Sequence, residues 1–163
     1  MNYAKLNTHD IANGPGVRVS LFVSGCRHRC KGCFNAEAWN FDYGREFEFK
    51  TALELDNALD EPFISGLSIL GGEPLEPENI DVVTAICEMV HQFHPEQTIW
   101  LYTGSLYEDV KDLKIMKYID VLVDGEFVEE LKDITLRFRG SKNQRIIDVK
   151  KSRKANSVVL WEE

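Results

Sequence analysis

Apolar and polar positions along the chain switch between the strand period and the helix period. Residues 17–23 (VRVSLFV) are rich in β-branched side chains and predict the first strand of the core. Residues 36–49 are irregular and aromatic, with Trp39, Phe41, Tyr43, Phe47 and Phe49. They read as packing material rather than a platform for stacked bases, because the protein is acidic and the aromatics are not regularly interleaved with cations. Residues 51–59 suit a helix, with Thr51 as its N-cap and Glu54 as the capping-box partner. A short buried strand at 66–70 ends in Gly71-Gly72. The helical period returns at 77–94, where Val83, Ile86, Cys87, Val90 and Phe93 share one face, so Cys87 reads as a small core residue. A strand at 98–103, a helix at 105–113 and a strand at 119–123, ending at Asp124-Gly125, follow. Residues 144–149 and 157–161 also have strand character, but the sequence does not disclose their pairing.

Strand, helix and strand in succession predict parallel βαβ units in one domain spanning 1–163. About five or six mainly parallel strands fit this length, too few for a closed eight-stranded barrel of about 250 residues. The expected architecture is α/β, an open, partial (β/α) barrel. In such parallel arrangements sites gather at the carboxyl ends of strands. Three marked stretches fall at predicted strand ends: residues 24–35, Gly71 with the three residues after it, and Asp124-Gly125.

Composition narrows the function classes. The chain's 44% hydrophobic and 28% charged residues are ordinary for a soluble globular protein. No apolar run approaches the roughly 20 residues of a membrane helix. MNYAKLNTHD lacks the basic-then-apolar pattern of a signal peptide, so a cytoplasmic setting is expected. A net charge of −8 argues against a general nucleic-acid surface. Arg27, Arg29 and Lys31 nevertheless crowd one loop, either to complement an anion or partner or simply as a solvated loop. Lys150, Lys151, Arg153 and Lys154 read as solvated surface. The four cysteines are expected to be free or metal-bound.

That crowded loop, residues 24–35 (SGCRHRCKGCFN), carries the candidate chemistry. Cys26, Cys30 and Cys33 form a Cys-x3-Cys-x2-Cys pattern, and soft thiolates suit iron–sulfur clusters. Gly25 and Gly32 allow the backbone to wrap a small cube. No fourth cysteine follows nearby, as a fully ligated electron carrier would want, so one iron of a four-iron cluster would lack a protein ligand. Two other readings compete. Offsets of four and seven also mark a buried helix face, which the flanking glycines and polar residues oppose. Zinc completed by His28 or a distant group is the stronger rival, although no second knuckle is present. His9, His28, His91 and His94 form no recognisable catalytic pairing, and neither a Ser/His/Asp set nor a phosphate loop occurs.

The cysteine pattern resembles the signature of radical S-adenosylmethionine (SAM) enzymes. Together, NGPGVR (13–18), SGCRHRCKGCFN, GGEPL (71–75), LVDGEF (122–127) and RGSKNQR (139–145) resemble, in order, the activating enzymes of anaerobic (class III) ribonucleotide reductase. The resemblance covers most of residues 9–149. It implies a [4Fe-4S] cluster on Cys26, Cys30 and Cys33, with no catalytic residue beyond the cluster. It further implies SAM contacts from Gly32, Cys33 and Phe34, from Gly71, Gly72 and Glu73, and from Asp124. Reductive cleavage of SAM would give methionine and a 5′-deoxyadenosyl radical, which takes hydrogen from a glycine Cα of the reductase. The implied partners are that reductase and a low-potential donor such as flavodoxin. Residues 13–16 are turn chemistry that the resemblance places near the partner's peptide. Alternatives are an activase of another glycyl radical enzyme, such as pyruvate formate-lyase, or a non-enzymatic zinc or iron–sulfur module. RGSKNQR points away from the former.

Overall fold

The computed structural model describes residues 1–163. Seven strands form one open sheet: β1 (Asn2–Asp10), β2 (Val17–Val23), β3 (Arg45–Glu46), β4 (Ile64–Gly71), β5 (Thr98–Tyr102), β6 (Val121–Asp124) and β7 (Arg145–Asp148), in the order β3-β1-β2-β4-β5-β6-β7. The central four, β2, β4, β5 and β6, run parallel. Antiparallel strands extend both edges, with β1 on β2, β3 on β1 and β7 on β6. The expectation of five or six strands is therefore corrected to seven. The strand β1 escaped notice because only Tyr3 and Asp10 of NYAKLNTHD are buried, which leaves no apolar run to read. The antiparallel sense of β7 follows from its connection, which holds only a short 3-10 turn at Glu129–Leu131 and no crossover helix.

The helices are α1 (Phe49–Leu59), α2 (Ile80–Phe93), α3 (Tyr107–Val110) and α4 (Val149–Ala155), with 3-10 turns also at Ala36–Trp39 and Lys114–Lys117. Strand alternation sends Val19, Leu21, Leu67, Ile69, Leu101 and Leu122 toward the helices, where they join Leu55, Val83, Cys87, Val90 and Val149 in one core. Cys87 is fully buried there, as its spacing predicts. All four helices thus pack on one face of the sheet.

Helix limits differ from the sequence reading in physically simple ways. The helix α1 begins two residues before Thr51, at Phe49, and Glu48 is the N-cap. Thr51 is buried inside the helix, its hydroxyl 3.5 Å from Tyr3 Oη, so the expected capping box does not form. Asn79 precedes α2, which leaves Pro77 in the turn, and Phe93 at its last position is 65% exposed rather than buried. The helix expected at 105–113 contracts to the single turn α3. Chain 144–149 divides into β7 and α4, whose N-cap Asp148 accepts from Lys151 N at 2.8 Å. Residues 157–161 contribute only an isolated bridge, Ile147 to Leu160. Their anchor is aromatic instead, since Trp161 packs edge-on against Trp100 with ring centroids 5.0 Å apart.

The face opposite the helices carries Trp100, Val121 and Val123, with Phe138 and Trp161 against them. Arg18 lies fully buried on that face. Its Nε donates to Ser68 Oγ at 2.8 Å, and Nη2 donates to the carbonyls of Leu67 and Thr98 at 2.8 and 2.7 Å. Burial lowers its pKa to about 10, which still leaves it charged at neutral pH. Ser68 Oγ in turn donates to the Asn13 carbonyl at 2.6 Å, so this post anchors the turn at 13–16. Gly14 (φ +134°) passes so close that a Cβ would meet Arg18 Cδ at 2.7 Å, which explains a glycine there. No helix is long and apolar enough to cross a membrane.

Candidate functional site

The carboxyl ends of β2, β4, β5 and β6 surround one cavity of about 340 Å³. The loop after β2 contributes Cys26, Cys30, Cys33 and Phe34 to its wall, and the end of β4 contributes Gly71, Gly72 and Glu73. Thr103 and Gly104 after β5, and Gly125 after β6, complete the strand-end side. The β6–β7 connection closes the far side with Phe127, Leu136, Phe138 and Arg139. The three stretches expected to meet therefore do meet.

Backbone hydrogen bonds fix the cysteine loop against the end of β4. Gly25 N donates to Ala38 O at 2.7 Å and Cys26 N to Trp39 O at 3.2 Å, while Glu73 N donates to Gly25 O at 2.8 Å. The side chain of Asn79 donates to Ser24 O and Glu73 O at 2.9 and 3.0 Å, clamping both loops at the start of α2. A Cβ on Gly72 would stand 2.6 Å from Gly25 O. The paired glycines thus serve first to let the cysteine loop cross the β4 end at van der Waals distance.

Glu73 is 3% exposed, and protein donors occupy its carboxylate. Oε1 accepts from Leu75 N at 2.9 Å, and Oε2 accepts from Thr103 Oγ1 at 3.0 Å, from Gly104 N at 2.8 Å and from His28 Nε2 at 2.9 Å. His28 Nδ1 lies 2.9 Å from Glu126 Oε1. The hydrogen bond to Glu73 above all, with Glu126 adding to it, raises the His28 pKa to about 9, against the opposing pull of burial. The imidazolium therefore donates from both nitrogens at neutral pH and ties the cysteine loop to the ends of β4 and β6. His28→Ala is expected to cost about 1.5–3 kcal/mol, the range for a hydrogen bond to a charged group. Urea unfolding midpoints, compared with those of His28→Gln, which keeps one donor, measure that loss.

Two motifs singled out separately turn out to be one structure. Arg145 on β7 donates to the Asp124 carboxylate on β6 at 3.0 and 2.5 Å. Gln144 Nε2 donates to Gly125 O at 3.0 Å, Asn143 Nδ2 to Glu126 O at 2.8 Å, and Val128 N to Ser141 Oγ at 3.2 Å. RGSKNQR thus braces the chain from Asp124 to Val128. Asp124 is 0% exposed and does not line the cavity; its neighbour Gly125 does. Gly32 also lies outside the lining and faces Glu129.

The loop cations are held by carboxylates. Arg27 pairs with Glu76 at 2.5 Å and with Glu78, and Lys31 with Glu129 and Glu130, both at 3.1 Å. Neither of the two readings open for this cluster describes Arg27 and Lys31, which pair with carboxylates of the chain itself. The cysteines themselves are free and half-buried. Burial pushes the Cys26 thiol up to about 11 and raises Cys30 as well, so thiolates here require a compensating cation. No three His, Cys, Asp or Glu side chains converge on a point that a single ion would fill. All three cysteines line the one cavity from a single loop, as suits a multi-iron cluster that offers a separate iron to each thiolate.

Sequence reasoning did not find Thr103 or Gly104 as parts of this site; it named His28 only as a rival zinc ligand and met Glu126 and Arg139 only inside longer motifs. His28 gave a signal only by standing between ligand cysteines, and its partners lie 45 and 98 residues away.

Comparison with known proteins agrees with this geometry. A family described as a 4Fe-4S single cluster domain matches residues 12–147. The chain is 43% identical over 146 residues to the anaerobic ribonucleoside-triphosphate reductase-activating protein of Enterobacteria phage T4, covering 90% of this chain and 93% of that one. It is 40% identical over 150 residues to the protein of that name from Vibrio cholerae, covering 90% and 97%. It is 38% identical over 148 residues to the one from Escherichia coli K12, covering 88% and 96%. With most of both chains aligned and the cysteine loop inside the matched domain, this protein belongs to the family of anaerobic ribonucleoside-triphosphate reductase-activating proteins.

Proposed function

We propose that this chain activates an anaerobic ribonucleoside-triphosphate reductase as a radical SAM enzyme, by removing hydrogen from a glycine Cα of that partner. The observation that carries the reading is the convergence of the cysteine loop, the Gly71-Gly72 strand end and Gly125 on one cavity. Cys26, Cys30 and Cys33 would hold a [4Fe-4S] cluster. When bound, the cluster supplies a low-potential electron and an open iron position for SAM.

The chain's own residues position and exclude. His28, Glu73 and Asn79 hold the cysteine loop to the sheet, so the protein's own contacts shape the ligand cavity. Gly71 and Gly72 bring main chain without side-chain bulk to the edge where an amino acid's polar groups would lie. Cys33 and Phe34 would contact SAM from the facing wall. Phe127, Leu136 and Phe138 of the β6–β7 connection give the cavity an apolar side that would help to keep water from a reactive intermediate.

The winding supports a partial barrel of the radical SAM type. β2, β4, β5 and β6 are adjacent in the sheet and consecutive along the parallel winding, with every helix on one face. Right-handed crossovers wound without reversal generate barrel geometry, whereas a doubly wound sheet covers both faces. A flavodoxin-like donor would supply the electron. A cytosolic setting belongs to the same reading, since reduced thiols persist there.

The test is deuterium placed at glycine Cα in the reductase, with dithionite and SAM added anaerobically. Deuterium should appear in 5′-deoxyadenosine, together with a glycyl doublet in electron paramagnetic resonance. Unlabelled 5′-deoxyadenosine accompanying the doublet would overturn direct hydrogen transfer.

A further inference from the structure

The charged groups around the cavity can be accounted for one by one, and one has no counter-charge. His28 and Glu73 satisfy each other. The amide of Gln144 is engaged at both ends, by Gly140 N and Ser141 N on its oxygen and by Gly125 O on its nitrogen. Arg139 lines the same cavity, is partly buried, and uses only Nη1, which donates to the Gln144 carbonyl. No salt bridge forms at Arg139, although the neighbouring arginines Arg27, Arg137 and Arg145 all reach carboxylates.

The surroundings make this guanidinium a receptor for an anion. Phe127 and Phe34 close on the adjacent Gly140, so tightly that a Cβ there would stand 3.1 and 3.4 Å from their rings. A planar, always-charged fork beside aromatic rings matches a carboxylate with two parallel hydrogen bonds. Glu73 is the one carboxylate in the lining and is already satisfied by protein donors, so the anion that fits is one that carries its own compensating ammonium, a zwitterion. Ligand cavities of this kind are mostly apolar with a few placed polar groups that fix orientation.

We propose that Arg139 binds the α-carboxylate of an amino-acid ligand in this cavity, namely that of the methionine moiety of SAM. The assignment rests on the reading above that SAM binds here. It gives RGSKNQR a second role beside bracing β6: its first residue binds the ligand, and the residues from Ser141 to Arg145 hold that arginine's loop in place.

The test is equilibrium binding of SAM and of decarboxylated SAM to cluster-loaded protein, with wild type, Arg139→Gln and Arg139→Lys. Arg139→Gln is expected to weaken SAM roughly 10- to 100-fold, the range for a hydrogen-bonded ion pair. It should leave the affinity for decarboxylated SAM unchanged, because that analogue has nothing for the guanidinium to bind. Arg139→Lys should recover part of the loss by charge without the fork. Equal losses for both ligands would overturn the assignment in favour of a structural role. Unchanged SAM affinity with a raised KM for the reductase would overturn it in favour of a carboxylate on the partner. If wild-type protein binds no SAM at all, the SAM reading itself fails, an outcome distinct from either of these.

Discussion

An Arg145→Ala variant is expected to lose about 3–5 kcal/mol of stability, because it leaves the Asp124 carboxylate buried without its cation. Asp124 is 0% exposed, and its other partner is the Tyr107 amide, which donates at 2.8 Å. A single amide hydrogen bond does not offset the desolvation of a full charge. The same arginine bridges to Glu108 at 2.7 Å, so its removal also frees the start of α3 from β7. The Glu108 contact is half exposed and contributes little beside the buried pair. Urea unfolding of the single variant measures the loss. The double variant Asp124→Asn, Arg145→Gln leaves no buried charge and should recover most of it. A single variant as stable as wild type would show that Asp124 finds another cation or protonates at no cost.

That pair also shows what could be read from the sequence. Asp124 stands at a strand end in a recognisable motif, and a ligand contact was a reasonable expectation. Its ion-pair partner in the structure is Arg145 on β7, whose pairing the sequence could not disclose, since antiparallel register depends on the 20-residue connection between Asp124 and Arg145. The parallel centre was legible because β2, β4, β5 and β6 are short apolar runs separated by turns. The edges were not: β1 buries only Tyr3 and Asp10, and β3 is two exposed residues long. The cysteine loop was legible because ligand spacing is a local property. His28 and Arg139 were not, because what distinguishes them is whether a carboxylate faces them across the cavity, and that is decided by tertiary structure.

Local pattern and global winding meet at the cavity. The apolar strand runs force a helix-covered face, and the crossovers bring the carboxyl ends of four parallel strands to one edge. The motifs then occupy the only edge where loops from all four strands meet. Arg18 belongs to the same design, since it fills the sheet face opposite the helices with a satisfied cation and fixes the turn at 13–16 beside the cavity, where Asn13 joins the lining.

Replacing any one of Cys26, Cys30 or Cys33 by alanine is expected to abolish the cluster and activation while sparing the fold. Each lies on the cavity wall, half-buried, and none is in the hydrophobic core. The loop's shape is set by backbone bonds and by His28, not by the thiols. Loss of a supporting residue around a metal costs about 10–100-fold in affinity or activity, so loss of a ligand should exceed roughly a hundredfold. Iron and sulfide content after anaerobic reconstitution, and the glycyl doublet formed on the reductase, should fall together, with the unfolding midpoint of the metal-free protein little changed. Cys87→Ala makes the contrasting prediction. Its thiol is fully buried among Val83, Ile86 and Val90 in the core, where burial raises its pKa and keeps it neutral. Its loss should leave a small cavity costing about 1 kcal/mol, with cluster content and activation unchanged. A cluster that survives in the Cys26, Cys30 or Cys33 variants, or disappears in Cys87→Ala, would be incompatible with ligation by the three loop thiolates alone.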